Sequence, residues 1–236
     1  MRGMMLQSLV FLLVCGGSID AAAVLRKLPG SEFPDAKCLD GSPGAYYYDL
    51  SPSTLNSKDW VFSLEGGGEC VTREDCASRA KGNLGSSDAY LPEMNMTHTI
   101  QSREDYNPFS VYNFVYVKYC SGDLHMGQQD PQNDVSTIGG DMYFSGHRIL
   151  SAIISDLSDH LKDAETIVWS GESAGGMGCF NSLDFVHDKF PDALVVGLPV
   201  GGFYFSNESP YLGTSDYPAT DYIPWRRVTA KSEVRG

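Results

Sequence analysis

Short apolar runs that end in glycine alternate along this chain with stretches whose apolar positions recur every three or four residues. Trp60 to Leu64 is such a run, leading into Glu65-Gly66-Gly67-Gly68, and reads as a strand entering a glycine-rich loop. Asn113 to Tyr119 alternates aromatics with valines and reads as a second strand. Leu150, Ile153, Ile154, Leu157 and Leu161 fall on one helical face, so a helix is expected from near Phe144, after the Gly139-Gly140 turn. Thr166 to Ser170 is expected as a buried strand, Ala174 to His187 as a helix that stops before Phe190-Pro191, and Leu194 to Leu198 as a further strand. The stretch from Gly82 to Asn107 keeps no period and reads as a surface excursion. The tail after Tyr204 is rich in Ser, Tyr, Pro and Asp and shows no clear element. Strands alternating with helices predict an α/β fold with a mostly parallel sheet and right-handed crossovers.

Composition narrows the class. The 236 residues include 42% hydrophobic and 11% aromatic side chains, enough to fill a core and exclude wholesale disorder. Seventeen basic against 30 acidic residues give a net charge of −13, which argues against nucleic acid or an anionic membrane as partner. Residues 1–23 read as a secretory leader: Arg2 supplies the positive start, Leu9 to Val14 the apolar stretch, and Ala21-Ala22-Ala23 the small residues of a cleavage site. That apolar stretch is too short to span ~30 Å of hydrocarbon, and no later segment is long and apolar enough to cross a bilayer. A secreted domain over residues 24–236 is the expectation. Its charge stays at −13, because Arg2 and Asp20 leave together.

Export changes the reading of the cysteines. Cys15 leaves with the leader, and an oxidising compartment favours bridging among Cys38, Cys70, Cys76, Cys120 and Cys179. Cys70 with Cys76 is the best local pair and Cys38 with Cys120 the plausible long-range one, which leaves Cys179 over; buried free thiols are the alternative. Closing the longer loop would stabilise by about 4 kcal/mol in the chain-entropy account. No metal site is expected, since no CxxC or close histidine pair exists. Asn95-Met96-Thr97 and Asn207-Glu208-Ser209 are glycosylation sequons.

The chemistry concentrates at Gly171-Glu172-Ser173-Ala174-Gly175-Gly176. A G-x-S-x-G string between a strand and a helix is the nucleophile elbow: the glycines permit a sharp turn that lifts the Ser173 hydroxyl above the sheet edge. The helix that follows aims its positive end at the site. A tight strand-to-helix turn without catalysis is the competing reading. Acyl transfer also needs amides to receive a negative oxygen. The Ala174 N–H is one, and Gly66-Gly67-Gly68 stands in the right chain order to supply another. A merely flexible turn is the alternative for the triple glycine.

Together these motifs resemble the pectin acetylesterase/Notum family of secreted carboxylesterases, from about Cys38 to Tyr204. The resemblance rests, in order, on Cys38-Leu39-Asp40-Gly41-Ser42-Pro43, Leu64-Glu65-Gly66-Gly67-Gly68-Glu69-Cys70, Asn107-Pro108-Phe109, Val117-Lys118-Tyr119-Cys120-Ser121-Gly122-Asp123, Phe144-Ser145-Gly146, the elbow segment, and Gly202-Phe203-Tyr204. It implies an α/β-hydrolase-like sheet with flanking helices and Ser173 as nucleophile. It places Gly67, Gly68 and Ala174 in the oxyanion hole. It implies no cofactor or metal, and an acylated polysaccharide such as pectin, or an acylated protein, as substrate. Two positions depart from the pattern: Glu172 stands where most members carry Cys or Ser, and Val200-Gly201-Gly202 replaces a stretch that begins with Asp.

In the hydrolase order the acid and the histidine follow the serine. No histidine follows His187 here, and His98, His125, His147 and His160 precede Ser173. His187, fourteen residues along the same expected helix, is nearly four turns away. His125 is the single alternative base considered, while His147 and His160 read as helix-surface residues. Asp216 and Asp221 are weak candidates for the acid. The chain is therefore expected to be the N-terminal portion of a serine esterase, its fold incomplete and its activity alone in question. The alternative is a secreted binding module that keeps the fold without the triad. Lys118 is the one basic residue expected near the site, so the acidic balance disfavours de-esterified pectin but not neutral acetylated sugars. Phe203, Tyr204 and Phe205 read as pocket lining or as core.

Overall fold

The computed structural model describes residues 22–51, 57–96, 100–128 and 141–202. Seven strands form one sheet: β1 (Ala23–Lys27), β2 (Ala45–Asp49), β3 (Asp59–Leu64), β4 (Glu93–Met94), β5 (Asn113–Val117), β6 (Thr166–Glu172) and β7 (Leu194–Val200). The helices are α1 (Arg73–Arg79), α2 (Gly146–Asp156), α3 (Ser158–Leu161) and α4 (Ala174–Lys189). The spatial order is β4-β1-β2-β5-β3-β6-β7. β5, β3, β6 and β7 are mutually parallel, while β2 runs antiparallel to both β1 and β5. This is the α/β-hydrolase-like arrangement, a mixed sheet in which most strands share one direction and helices flank the faces.

Each expected strand is present; β3 ends at Leu64 as expected and starts one residue earlier, while the C-terminal ends of the other three differ. β6 and β7 pair residue for residue from Thr166↔Leu194 to Glu172↔Val200, two positions beyond the ends expected from hydropathy. β5 ends at Val117, two residues short of the expected end, although the Lys118 N–H still bonds the Ala45 carbonyl of β2. α2 begins at Gly146 rather than near Phe144, because Asp123 accepts the Gly146 N–H at 2.8 Å and fixes the helix start. β1, β2 and α1 were not anticipated. β1 starts at Ala23, the last residue of the expected leader, and buries it against Tyr47 and Met96. Among its described residues, the excursion between Gly82 and Asn107 contributes β4 as regular structure.

The main core lies on one sheet face. Trp60, Phe62 and Leu64 of β3, Val115 and Val117 of β5, and Ile167 and Trp169 of β6 meet Ile149, Leu150 and Ile153 of α2. The opposite face is covered over β3, β5 and β6 by Ile100, Phe109 and Tyr112, which pack on Val61, Phe114 and Val168. Arg103 reinforces this cover with bonds to the Asp49 carboxylate and to the Ser110 and Tyr112 carbonyls. Over β7 the same face is open: Leu194, Val196, Leu198 and Val200 are 64%, 42%, 40% and 51% exposed, a continuous apolar row on the edge strand.

Cys38 is joined to Cys120, and Cys70 to Cys76, while Cys179 is a buried free thiol. Burial pushes that thiol up to about 11, and its Sγ donates to the Trp169 carbonyl at 2.9 Å, so it serves as core. No helix of the described residues is long and apolar enough to cross a membrane.

Candidate functional site

Ser173 occupies the turn between β6 and α4. Its φ of 54° and ψ of −115° lie outside the helical and extended basins, an unusual conformation for a residue with a Cβ. Three contacts hold it there. Its N–H donates to the Val200 carbonyl at 2.8 Å, and its carbonyl accepts the Met177 N–H at 3.1 Å. The flanking glycines permit the third, backbone against backbone. A Cβ on Gly175 would collide with the Leu64 carbonyl oxygen, and one on Gly171 with the Gly175 carbonyl. Only glycine lets α4 begin this close to the ends of β3 and β6.

The glycine-rich loop after β3 arrives at the same place. A Cβ on Gly66 would lie 2.7 Å from the Glu172 carbonyl oxygen and 3.2 Å from the Ser173 Cβ, so the loop backbone runs directly beside the serine. Gly67 and Gly68 have φ of +148° and +69°, in the left-handed region that favours glycine. Ala174 is buried as the first residue of α4, where its N–H has no carbonyl within the helix to bond. The structure thus brings Ser173, at the start of α4, beside the Gly66 backbone, and Gly67 and Gly68 follow in the same loop.

The surroundings are mostly committed. Glu65 accepts from the Lys118 ammonium and, at 2.8 Å, from the Tyr119 N–H. Lys118 also lies over the Tyr90 ring, so its charge is met by protein groups. Arg79, which sequence reasoning passed over, is a second basic group here: it donates to the Gly67 carbonyl at 2.7 Å and to the Glu69 carbonyl at 3.2 Å. No residue pattern announced it, because α1 was hidden in a short polar stretch. Glu172, which departs from the family pattern, points outward and is exposed.

The histidines fall away from the base role. His125 is 2% exposed, and its Nε2 lies 2.9 Å from the Glu65 carbonyl oxygen. A carbonyl only accepts, so Nε2 carries the proton and has no lone pair for a serine hydroxyl. Burial lowers this imidazole to about 4. His125 thus commits Nε2 as a donor to the loop, and the lone pair of its neutral ring is on Nδ1. His147 is half-buried against Phe185, with ring centroids 4.6 Å apart, rather than a surface residue, because α2 and α4 meet there. His160 is exposed on α3, ahead of the opposite end of β6. His187 is exposed near the end of α4, roughly 20 Å of helix from Ser173.

Asn95 is exposed beside β4. Asn207, His98, Phe203, Tyr204, Phe205, Asp216, Asp221 and the expected leader through Ala21 lie outside the described residues. Among the described residues, no three His, Cys, Asp or Glu side chains gather as a metal site.

Comparison with known proteins agrees with this architecture. Over 166 residues the chain is 37% identical to a palmitoleoyl-protein carboxylesterase NOTUM of Schmidtea mediterranea, covering 68% of this chain and 30% of that protein. It is 35% identical over 181 residues to pectin acetylesterase 5 of Arabidopsis thaliana, covering 75% and 41%. It is 31% identical over 201 residues to palmitoleoyl-protein carboxylesterase notum1a of Danio rerio, covering 84% and 38%. The chain thus spans less than half the length of these relatives. The family model described as Pectinacetylesterase matches residues 21–222, and the chain belongs to that family.

Proposed function

We propose that this chain carries the nucleophile half of a secreted carboxylic-ester hydrolase. The observation that supports it best is the Ser173 turn, with φ of 54°, set against the Gly66 backbone at the amino end of α4. Ser173 Oγ attacks the ester carbonyl carbon and gives its proton to a base. The carbonyl oxygen becomes an oxyanion held by the N–H groups of Gly67, Gly68 and Ala174. The C–O bond to the alcohol breaks, the alcohol takes a proton, and water then cleaves the acyl-Ser173 ester to release the acid. Of the four described histidines, His125 donates through Nε2 to the Glu65 carbonyl, His147 packs on Phe185, and His160 and His187 are exposed on α3 and near the end of α4. More than half of each relative lies outside the matched span, and we place the acid and the histidine base in that part of the protein.

The substrate class is an acylated polysaccharide or an acylated protein, as the names of the relatives suggest for those proteins. The net charge of −13, with Lys118 already met by Glu65, favours neutral acylated groups over a de-esterified polyanion. Two disulfides fit an extracellular location. The test is release of p-nitrophenol from p-nitrophenyl acetate, whose leaving group departs readily. Wild type should exceed Ser173→Ala; equal rates would favour a binding module that keeps the fold.

A further inference from the structure

The loop that approaches Ser173 is held from behind by two side chains with no other evident task. Arg79 donates through Nη1 to the Gly67 carbonyl at 2.7 Å and through Nη2 to the Glu69 carbonyl at 3.2 Å. His125 donates through Nε2 to the Glu65 carbonyl at 2.9 Å. Alternate carbonyls of residues 65, 67 and 69 are therefore fixed. In a trans peptide the N–H points opposite to the C=O. Holding the Glu65 carbonyl sets the Gly66 N–H, and holding the Gly67 carbonyl sets the Gly68 N–H. The Gly67 N–H lies on the peptide between these two held units.

The fold accepts backbone strain to put His125 there. Leu124 and His125 have φ of 57° and 61°, two consecutive non-glycine residues in the left-handed region. Both conformations are disfavoured for a residue with a Cβ. The turn is fixed by the Leu124 N–H on the Tyr119 hydroxyl at 2.8 Å, and by the buried Asp123 carboxylate, which accepts from Ser121 Oγ at 2.5 Å and from the Gly127 N–H at 3.2 Å. The space around the imidazole residue is moulded to it: a Cβ on Gly146 would lie 2.6 Å from the His125 Cα, and one on Gly178 2.8 Å from its Cβ. On the other side, the Cys70–Cys76 bond ties the loop to α1, which ends in Arg79.

We propose that Arg79 and His125 are positioning residues: they hold the Gly67 and Glu65 carbonyls from the back of the loop and thereby turn its amides toward Ser173 and the oxyanion. This rests on the esterase reading above, and the test separates the two. Four variants of the full chain are compared with wild type on p-nitrophenyl acetate: Arg79→Met, Arg79→Lys, His125→Phe, which keeps a ring without the donor, and His125→Gln, which keeps a donor. Arg79→Met and His125→Phe should lower kcat about 10- to 100-fold, since misplacing a reacting group by an ångström has such cost. KM should move less than about two-fold, the mark of an interaction made in the transition state. Arg79→Lys and His125→Gln should recover part of the loss. The inhibition constant of an alkyl boronic acid, a tetrahedral mimic, should rise in proportion to the fall in kcat. Folded Arg79→Met and His125→Phe proteins with unchanged kcat would overturn the proposal. Wild type no faster than Ser173→Ala would overturn catalysis by this chain by itself and leave the positioning proposal to a structural readout. The clamp would then be judged by the 15N relaxation of Gly66 and Gly68: increased backbone motion in Arg79→Met and His125→Phe supports it, and unchanged order overturns it.

Discussion

The Ser173 N–H donates to the Val200 carbonyl at 2.8 Å, so the turn bearing the serine hangs on the last residue of the edge strand β7. That strand end is in turn pressed onto α4 by two glycines. A Cβ on Gly176 would lie 2.7 Å from the Gly202 Cα and 2.9 Å from the Val200 carbonyl oxygen. Gly176→Ala must therefore push β7 away from the serine. It should destabilise by about 1–3 kcal/mol, as overpacking does, and lower esterase activity beyond the loss of folded protein. Urea titration alongside kinetics on the folded fraction checks both.

Gly175 has less room still, because an added methyl would meet the Leu64 carbonyl. Gly175→Ala should cost about 3 kcal/mol or more. Gly201, with φ of +57° but open space around it, should lose only about 1 kcal/mol on the same change, the left-handed penalty alone. Comparing the two by thermal denaturation separates contact from conformation; equal losses would refute the assignment.

His125 makes stability depend on pH. Its folded value of about 4 lies below the 6.5 of a free imidazole, so the unfolded chain binds the proton first. Stability is full above pH 6.5 and falls as pH drops toward 4, by up to ~1.4 kcal/mol per pH unit and about 3 kcal/mol in all. The buried Asp123, pushed up by desolvation, works in the opposite sense at the acid end. The difference between wild type and His125→Gln isolates the histidine. Urea midpoints at pH 7 and pH 5 should diverge for wild type and stay closer for His125→Gln.

The two disulfides should differ in kind. Replacing Cys38 and Cys120 with Ala opens a loop with a sequence separation of 82 and should cost about 2–5 kcal/mol. Replacing Cys70 and Cys76 opens a separation of 6, so its stability cost should be smaller. It frees the helix that carries Arg79, however, and should reduce kcat more than its stability cost explains. Differential unfolding and kinetics on both double variants decide this.

Much of the sheet was readable because its central strands are continuous apolar runs that end in glycine. Trp60–Leu64 and Thr166–Ser170 could hardly have been anything else. β2 was hidden because Ala45–Asp49 is mostly tyrosine, and a strand buried through aromatic rings with polar tips, such as Tyr46 on Asp156 at 2.7 Å, carries no clear alternation. β1 was hidden by overlap with the leader pattern. The elbow was legible because its glycines are dictated by backbone collisions that a short string records. Gly202 was legible only as part of the Gly202-Phe203-Tyr204 motif, and the motif did not reveal its close approach to Gly176. His125 and Arg79 could not have been found from pattern, since their partners are backbone carbonyls sixty and twelve residues away.

The most direct measurement is the mass of the protein after brief exposure to p-nitrophenyl acetate, followed by peptide mapping. If the Ser173 hydroxyl is the nucleophile, and acyl transfer to it outruns hydrolysis of the adduct, one acetyl group appears on the peptide containing Ser173 and is absent in Ser173→Ala. An unmodified Ser173 peptide, or acetylation spread over other serines and lysines with Ser173 spared, would contradict the account.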